Sequence, residues 1–224
     1  MPKALIVGGT GFVGYWMQKQ APLNIVTTAI GTAGYNLWYW HKVKWDYIIH
    51  LAHVPPAKVL QCALENQARV LYASSGIVCQ SVDSQYRREK IQWENDCYYS
   101  GVDVVVARLF TFYGEKLDDN KAITAWKKAI KENRPIEIWG DGNTVRSYMH
   151  GAIMADWLWA ILLRGKSGYA YEVGSDEPIT LLQKAQDMVK EAGSHVEIII
   201  KNGTDLMPYY LPTTTEKTKA LLTE

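Results

Sequence analysis

A run of glycines directly after the first apolar segment constrains the fold of this chain more than any other feature. The segment Lys3–Val7 has the apolar character of a short buried strand. It leads at once into the turn Gly8-Gly9-Thr10-Gly11-Phe12-Val13-Gly14, which reads G-x-G-x-x-G from Gly9. Glycine is needed there because the turn is tight, the backbone approaches a pyrophosphate, and helix and strand pack closely. Since the exposed N–H groups and the helix dipole favour an anion, these seven residues predict a dinucleotide-binding turn.

Short apolar runs alternate with helical patterns over the first half of the chain, which is typical of parallel βαβ units. The predicted strands are residues 3–7, 24–28, 47–51, 68–74 and 102–108, and the predicted helices are 13–19, 57–66 and 85–99. The pattern predicts an α/β fold, namely a Rossmann-type doubly wound parallel sheet. Between residues 30 and 44 the helix of a regular unit is missing, which indicates a shortened fold.

The pattern changes after about residue 115. Residues 122–133, 151–163 and 180–192 read as helices, and residues 135–139 and 195–201 read as strands. We therefore predict a dinucleotide-binding core over residues 1–115 and a small substrate-binding lobe over residues 116–224. The lobe should return at least one strand, near residues 169–173, to the main sheet.

Charge and cysteine content exclude several classes of function. The 24 Lys and Arg residues balance 23 Asp and Glu residues, so no net field attracts a polyanion and nucleic acid is not an expected partner. No stretch approaches the roughly 18 apolar residues that span a membrane, and the N-terminus begins a strand instead of a leader. The three cysteines lack a CxxC spacing, which suggests neither disulfides nor zinc. We expect a cytoplasmic protein with no membrane span and no metal site.

A tyrosine and a lysine four residues apart lie in the third predicted helix. The spacing puts Tyr86 and Lys90 on one face, one turn apart, and Ser84 or Asp83 can cap the helix start. An ammonium beside a phenol favours the phenolate, so Tyr86 can serve as a general acid or base. Ser75 ends the preceding strand, at the sheet edge where ligands bind, and its hydroxyl can hold a substrate oxygen.

The second predicted strand lacks the acidic residue that would hold the adenosine ribose of NAD. The residues there are Thr27-Thr28-Ala29-Ile30, and no arginine stands beside them to favour the extra phosphate of NADP. The choice between NAD and NADP therefore stays open.

Four further polar side chains occur near the predicted site, and we expect none of them to bind a ligand. His50 and His53 flank the end of the third strand without the partners of a metal site, so we expect packed or hydrogen-bonded histidines. Glu89 and Glu94 should lie on a solvated or dimer-facing surface of the Tyr86 helix.

Six short motifs follow one another along the chain. They are the turn at 8–14, Ile49-His-Leu-Ala52, Tyr72-Ala-Ser-Ser-Gly-Ile-Val78, Tyr86-x-x-x-Lys90, Arg108-Leu-Phe-Thr-Phe-Tyr-Gly114 and Trp139-Gly-Asp-Gly-Asn-Thr-Val-Arg146. In this order they resemble the extended short-chain dehydrogenase/reductase family, in particular its NAD-dependent nucleotide-sugar epimerase/dehydratase group. The chain is much shorter than is usual for that group.

The resemblance implies a role for each motif. Ser75, Tyr86 and Lys90 would be the catalytic set, with Lys90 also touching the nicotinamide ribose. The cofactor would be lined, beside the glycine turn, by Leu51, Ala52, Leu109 and Phe110. The substrate, a nucleotide sugar or a related small molecule, would be contacted by Ser75, Thr111 and Arg146.

The resemblance also implies a homodimer. The family commonly pairs subunits through the Tyr/Lys helix and the helix before it. Trp93, Tyr98 and Tyr99 could serve such a contact.

Departures from the family pattern bear on the reaction. Dehydratases of the family usually carry a carboxylate after the strand-end serine, whereas Ser75 is followed by Gly76 and Ile77, which argues against dehydration. An acidic pair that often follows the arginine motif is replaced by Ala152 and Ile153. A smaller pocket or a different substrate is expected.

Three functions stay open. The first is a nucleotide-sugar epimerase that works through a keto-sugar intermediate with NAD, NADP not being excluded. The second is a keto-sugar reductase that consumes reduced cofactor with the same residues. The third is a dinucleotide-binding module without turnover.

Overall fold

The chain folds around a six-stranded parallel sheet. The structure is a computed structural model that describes residues 1–31, 43–117, 121–203, 207 and 209–223. The shortened connection predicted between residues 30 and 44 lies mostly outside these described residues.

The strands follow the apolar runs of the sequence. In chain order they are β1 (Lys3–Val7), β2 (Val26–Ile30), β3 (Tyr47–His50), β4 (Arg69–Ser75), β5 (Val104–Leu109), β6 (Phe112–Tyr113), β7 (Ile136–Trp139), β8 (Val145–Arg146), β9 (Met149–His150), β10 (Ala170–Val173), β11 (Ile179–Thr180), β12 (Ile198–Lys201) and β13 (Tyr209–Tyr210). β1 has the predicted bounds. β2 begins two residues later than predicted, because Ile25 N donates to Pro22 O and the chain is still turning there.

The helices lie within two residues of their predicted bounds, except for a short one near the C-terminus that was not predicted. They are α1 (Phe12–Lys19), α2 (Ala57–Asn66), α3 (Gln85–Tyr98), α4 (Ala122–Lys131), α5 (Gly151–Arg164), α6 (Leu181–Glu191) and α7 (Glu216–Ala220). α3 begins where Ser84 Oγ accepts a hydrogen bond from Arg87 N at 3.2 Å, which satisfies one of the free N–H groups of the first turn. Within the described ranges, no helix is both long and apolar enough to cross a membrane.

The order of the sheet is β10-β5-β4-β3-β1-β2, with parallel neighbours throughout. The chain passes from β1 outward to β2 and then returns to the other side of β1 with β3. The strand order therefore reverses at β1, and the crevice outside the carboxyl ends of β1 and β3 is where such sheets bind ligands. The α/β doubly wound fold is confirmed, and the strand expected near residues 169–173 is β10 at one edge.

Helices cover both faces of the sheet. On one face α1 and α5 pack side by side and bury an apolar cluster that includes Met17 and Leu158. On the other face α2 and α3 bury a second cluster that includes Leu60 and Trp93. Trp93 is 8% exposed, so its expected place at a dimer contact is wrong: the helical period puts it on the side of α3 that faces the sheet.

A third apolar cluster lies away from the main sheet. It is built by α4, β7, α6 and β12 and includes Trp126, Ile136 and Met188. α5 and β10, by contrast, pack with the main sheet. The division of the chain at residue 115 stays a proposal, and this third cluster is the part of the second half that stands apart.

Candidate functional site

The glycine turn connects β1 to α1 in a conformation that few other residues could adopt. Gly8 has φ +87°, in the left-handed region that favours glycine, and the N–H groups of Gly8 and Gly9 both donate to Ile30 O at 2.9 Å. A Cβ at Gly9 would lie 2.5 Å from Ala29 Cβ, and one at Gly14 would lie 2.6 Å from the Gly9 carbonyl carbon. These glycines are therefore required by the close packing of turn, strand and helix.

Gly11 differs from its neighbours because it leaves space. It is the N-cap residue of α1, and no side chain among the described residues caps that helix start. A Cβ at Gly11 would meet just one atom within 4 Å, Gly8 O at 3.5 Å. Uncapped N–H groups at the start of a helix, beside an open and exposed backbone, fit the pyrophosphate of a dinucleotide.

The end of β2 offers no carboxylate to the adenosine ribose. β2 ends at Ile30 and is followed by Gly31, where a Cβ would lie 3.2 Å from Thr10 Oγ1. A side chain at this position would crowd the glycine turn. The residues that follow lie outside the described part of the chain, and the choice between NAD and NADP stays open.

The residues predicted to line the cofactor beside the glycine turn lie at the carboxyl ends of β3 and β5. Leu51 N donates to Val7 O at 2.8 Å, and Ala52 N would lie 2.8 Å from a Cβ on Gly8, so the β3 end directly adjoins the glycine turn. Leu109 ends β5, and Phe110 N donates to Val173 O at 3.1 Å.

A cavity of about 520 Å³ opens at this edge of the sheet. It brings together Ser75, Tyr86, Thr111 and Arg146, which the sequence indicated, with Phe12 and Phe110 of the predicted cofactor walls. The remaining lining residues are Ile77, Phe112, Leu117, Lys121, Ala122, Ile123, Tyr148, Leu181, Met207 and Tyr210. None of the described lining residues is acidic.

Tyr86 and Lys90 lie one turn apart on α3, as predicted, but in different environments. Tyr86 is 40% exposed and faces the cavity, whereas Lys90 is 4% exposed. The Lys90 ammonium donates to Ala73 O at 3.1 Å and to the Tyr72 hydroxyl at 3.3 Å, and it lies 5.9 Å from the centroid of the Tyr86 ring. Burial lowers the pKa of Lys90 to about 8, because a low dielectric disfavours the charged form.

Ser75 closes β4 and has a partner that the sequence did not reveal. Its Oγ accepts a hydrogen bond from Ile77 N at 3.3 Å and shares one with the Tyr210 hydroxyl at 3.2 Å. The Tyr210 hydroxyl also donates to Leu109 O at 3.3 Å. Tyr210 lies 135 residues from Ser75 along the chain, on the two-residue strand β13, and no local pattern marks such a position.

Arg146 lies on β8, beside β13. Its Nη1 donates to Met207 O at 2.8 Å and to Val145 O at 2.9 Å, and its guanidinium carbon lies 5.8 Å from the Tyr210 ring centroid. Thr111 accepts a backbone bond from Met149 N at 3.1 Å. Both side chains line the cavity, so the cavity has a cationic side and a hydroxyl side.

Glu94 is not on a solvated or dimer-facing surface, and that expectation is wrong. The residue is 4% exposed, and its carboxylate is held by Arg108 through Nη2 to Oε2 at 2.7 Å and Nε to Oε1 at 3.0 Å. The Ser74 hydroxyl donates to the same carboxylate at 2.6 Å. A carboxylate can be buried here because charge-assisted bonds replace its water.

The two histidines after β3 have different surroundings. His50 is fully buried and its Nε2 bonds to Val54 O at 3.0 Å, as predicted for a hydrogen-bonded histidine, and burial lowers its pKa to about 4. His53 is exposed and lies beside α3, where its Nε2 is 3.5 Å from Glu89 Oε2.

Comparison with curated proteins finds dehydratases. The chain is 26% identical over 99 residues to a dTDP-glucose 4,6-dehydratase of Streptomyces niveus, a match that covers 44% of this chain and 30% of that protein. The chain therefore spans less than a third of that relative's length.

Comparison with solved structures finds the same fold at low identity. The dTDP-glucose 4,6-dehydratase of Bacillus anthracis, in complex with NAD, has a TM-score of 0.86 at 17% identity, covering 100% of this chain and 91% of that one. The UDP-glucuronic acid 4-epimerase of Bacillus cereus, in complex with UDP-glucuronic acid and NAD, has a TM-score of 0.78 at 16% identity, covering 99% and 93%.

A family model covers most of the sheet and the site. The model described as the NAD dependent epimerase/dehydratase family matches residues 25–174, which include Ser75, Tyr86, Lys90 and Arg146. The chain belongs to the NAD-dependent epimerase/dehydratase family.

Proposed function

We propose that this chain is an NAD(P)-dependent nucleotide-sugar epimerase that works through a keto-sugar intermediate, with Ser75, Tyr86 and Lys90 as its catalytic set. The observation that carries the proposal is the cavity into which Ser75, Tyr86 and Arg146 all face, with no carboxylate among its described lining residues. An acid–base tyrosine beside a serine hydroxyl suits proton transfer at a sugar hydroxyl.

Each side chain of the set has a distinct part. Tyr86 takes the proton of the sugar hydroxyl as the phenolate and later returns it as the phenol. The Ser75 hydroxyl holds the same oxygen, in the place that the Tyr210 hydroxyl now occupies at 3.2 Å. The buried Lys90 ammonium, behind Tyr86, stabilises negative charge on the phenol.

The glycine turn is the proposed cofactor site. Gly8, Gly9, Thr10, Gly11, Phe12, Val13 and Gly14 would hold the pyrophosphate, and Leu51, Ala52, Leu109 and Phe110 would line the remainder. The open space at Gly11 and the uncapped start of α1 support this role. A bound NAD supplies the hydride acceptor, and the protein has to hold it against the substrate carbon.

The residues that follow Ser75 favour epimerisation over dehydration. Eliminating water from a sugar requires a further acid and base near the serine, and the residues after Ser75 are Gly76 and Ile77. Since none of the described lining residues is acidic, the cavity supports hydride transfer and return better than elimination.

A second groove supports a nucleotide as part of the substrate. It holds about 680 Å³ and shares Ala122 and Leu181 with the first cavity. Trp139, which is 67% exposed, stands in its wall together with Lys128 and Arg134. An exposed indole offers a stacking surface to a base. Thr111 is the proposed substrate contact on the sugar side, and Arg146 is the proposed contact to the substrate phosphate.

A keto-sugar reductase is the second candidate. Tyr86 is 40% exposed, so its proton can exchange with solvent, as each turnover of a reductase requires. A reductase consumes reduced cofactor in proportion to product, whereas an epimerase shows no net change in nicotinamide absorbance.

The proposal includes a homodimer through α2 and α3. Leu64 on α2 and Tyr99 beyond the end of α3 are exposed and can contact a partner subunit, whereas Trp93 is buried. A cytoplasmic location is proposed as well, since Cys62, Cys79 and Cys97 are free thiols.

The test is turnover by the full chain and by Tyr86→Phe. The proteins are loaded with NAD and given UDP-glucuronic acid or dTDP-glucose, and the products are separated by chromatography. We expect an epimer from the wild type and a loss of at least about 100-fold in Tyr86→Phe. Tyr169→Phe, at an exposed tyrosine outside the cavity, is the matched control and should keep full activity. Unchanged turnover in Tyr86→Phe would contradict the mechanism, and binding of NAD without any product would favour a non-catalytic module.

A further inference from the structure

Tyr86 needs support that α3 alone does not supply. It is the second residue of α3 and is 40% exposed, so its ring is held on one side and free on the other. An acid–base group has to stay within a narrow range of positions to react, because a misplacement of about 1 Å can cost about 100-fold in rate.

His53 packs directly against this ring. Its imidazole centroid lies 5.2 Å from that of Tyr86 and 5.1 Å from that of Trp93, with interplanar angles of 57° in both cases. Residues 86, 89 and 93 are spaced by three and four and share one face of α3. His53 therefore lies along that face and touches two of its aromatic rings.

The Glu89 carboxylate and the loop that carries His53 also restrain this imidazole. His53 Nε2 lies 3.5 Å from the Glu89 carboxylate. The carbonyl oxygen of the next residue, Val54, is hydrogen-bonded to Nε2 of the buried His50. The preceding residue, Ala52, adjoins Gly8 of the glycine turn. The backbone at His53 is thus braced on both sides.

We infer that His53 is a positioning residue for Tyr86, which it holds by ring packing from the loop that also adjoins the glycine turn. This inference rests on the proposed function, in which Tyr86 is the acid–base residue. The polar contact with Glu89 is secondary, because the His53 and Glu89 side chains are 56% and 32% exposed and exposed pairs contribute little.

Three substitutions separate ring packing from charge and from folding. His53→Ala removes the ring, His53→Phe keeps a ring but loses the polar contact with Glu89, and His53→Gln keeps polarity but loses the ring. His195→Ala is the matched control, since His195 is an exposed histidine before β12. All four should unfold at the temperature of the wild type, because the altered side chains are exposed.

The first measurement does not depend on turnover. Protein labelled with 3-fluorotyrosine is studied by fluorine NMR, and the Tyr86 signal is assigned as the one missing in Tyr86→Phe. We expect this signal to move and broaden in His53→Ala and His53→Gln, and to keep its wild-type shift in His53→Phe and His195→Ala. An unchanged Tyr86 signal in His53→Ala overturns the inference.

The second measurement is turnover with NAD and whichever of UDP-glucuronic acid and dTDP-glucose the wild type converts. His53→Ala and His53→Gln should lose about tenfold in kcat with KM unchanged, and His53→Phe should regain most of it. A loss of kcat with an unmoved Tyr86 signal shows that His53 acts by another route, and the inference is then wrong. If Tyr86→Phe is fully active, the proposed function fails, while the fluorine signal still reports whether His53 holds the ring.

Discussion

The carboxylate of Glu94 on α3 accepts two hydrogen bonds from the guanidinium of Arg108, with Nη2 to Oε2 at 2.7 Å and Nε to Oε1 at 3.0 Å. Glu94 lies one turn after Lys90 on α3, and Arg108 lies on β5. The pair therefore ties the helix that carries Tyr86 and Lys90 to the sheet strand that ends at the proposed cofactor wall.

Glu94→Gln should destabilise the protein by about 3 kcal/mol, since breaking one partner of a buried pair leaves the other charge uncompensated. Replacing both residues by methionine should cost less than the sum of Glu94→Met and Arg108→Met, because no charge is then left behind. Urea unfolding measures all four variants. Additive losses would contradict the account, and Asp176→Asn, which breaks a surface pair with Lys219, should leave the midpoint unchanged.

Lys90→Met should be more stable than the wild type at neutral pH. The pKa of Lys90 falls from 10.5 to about 8 on folding, so between these values the unfolded chain binds a proton that the folded chain lacks. The wild type therefore gains stability as pH rises from about 8 to 10.5, by up to about 3 kcal/mol, and the advantage of the variant should shrink over that window. Urea midpoints of both proteins across this range measure the difference. A constant difference would show that Lys90 carries no burial penalty. Conversion of the sugar substrate by the variant should be lost in any case.

Much of the fold was predictable because its strands are short apolar runs bounded by turn residues. The bounds of β1 and α2 agree with the sequence prediction. The prediction placed β2 two residues too early, because a turn in which Ile25 N donates to Pro22 O precedes the strand. The two-residue strands β8, β11 and β13 are too short to carry a period, so the small three-stranded sheet they form could not be predicted.

The grouping of side chains around the candidate site could be predicted where a motif is local, but not where distant segments meet. Ser75, Tyr86 and Lys90 lie on adjacent elements and could be grouped by their positions. Tyr210 reaches Ser75 from a segment without a pattern. The burial of Glu94 could have been found, since a residue four after Lys90 falls on the same buried helix face; the polar composition of α3 concealed that face.

His50 should make the protein sensitive to mild acid. Burial lowers its pKa from 6.5 to about 4, so below pH 6.5 the unfolded chain takes up a proton that the folded chain refuses. Stability should fall as pH drops from 6.5 towards 4, by up to about 3 kcal/mol. His50→Gln keeps a donor for Val54 O and should show a smaller loss over the same window, as measured by urea midpoints. An NMR titration of His50 with an ordinary midpoint would contradict the prediction.

Gly11→Ala and Gly14→Ala should separate cofactor binding from folding. A Cβ at Gly14 would lie 2.6 Å from the Gly9 carbonyl carbon, so this substitution should cost about 1–3 kcal/mol of stability through overpacking. At Gly11 the backbone angle of −81° suits alanine, and a Cβ meets just Gly8 O at 3.5 Å, so Gly11→Ala should melt like the wild type. That methyl group would nevertheless stand where the pyrophosphate is proposed to lie, and NAD affinity in a fluorescence titration should fall about tenfold or more, equal to about 1.4 kcal/mol. If Gly11→Ala folds normally and binds NAD with wild-type affinity, the space at Gly11 does not hold the pyrophosphate. A ligand in contact with the backbone at Gly11 would be displaced by the added methyl group, and its affinity would fall.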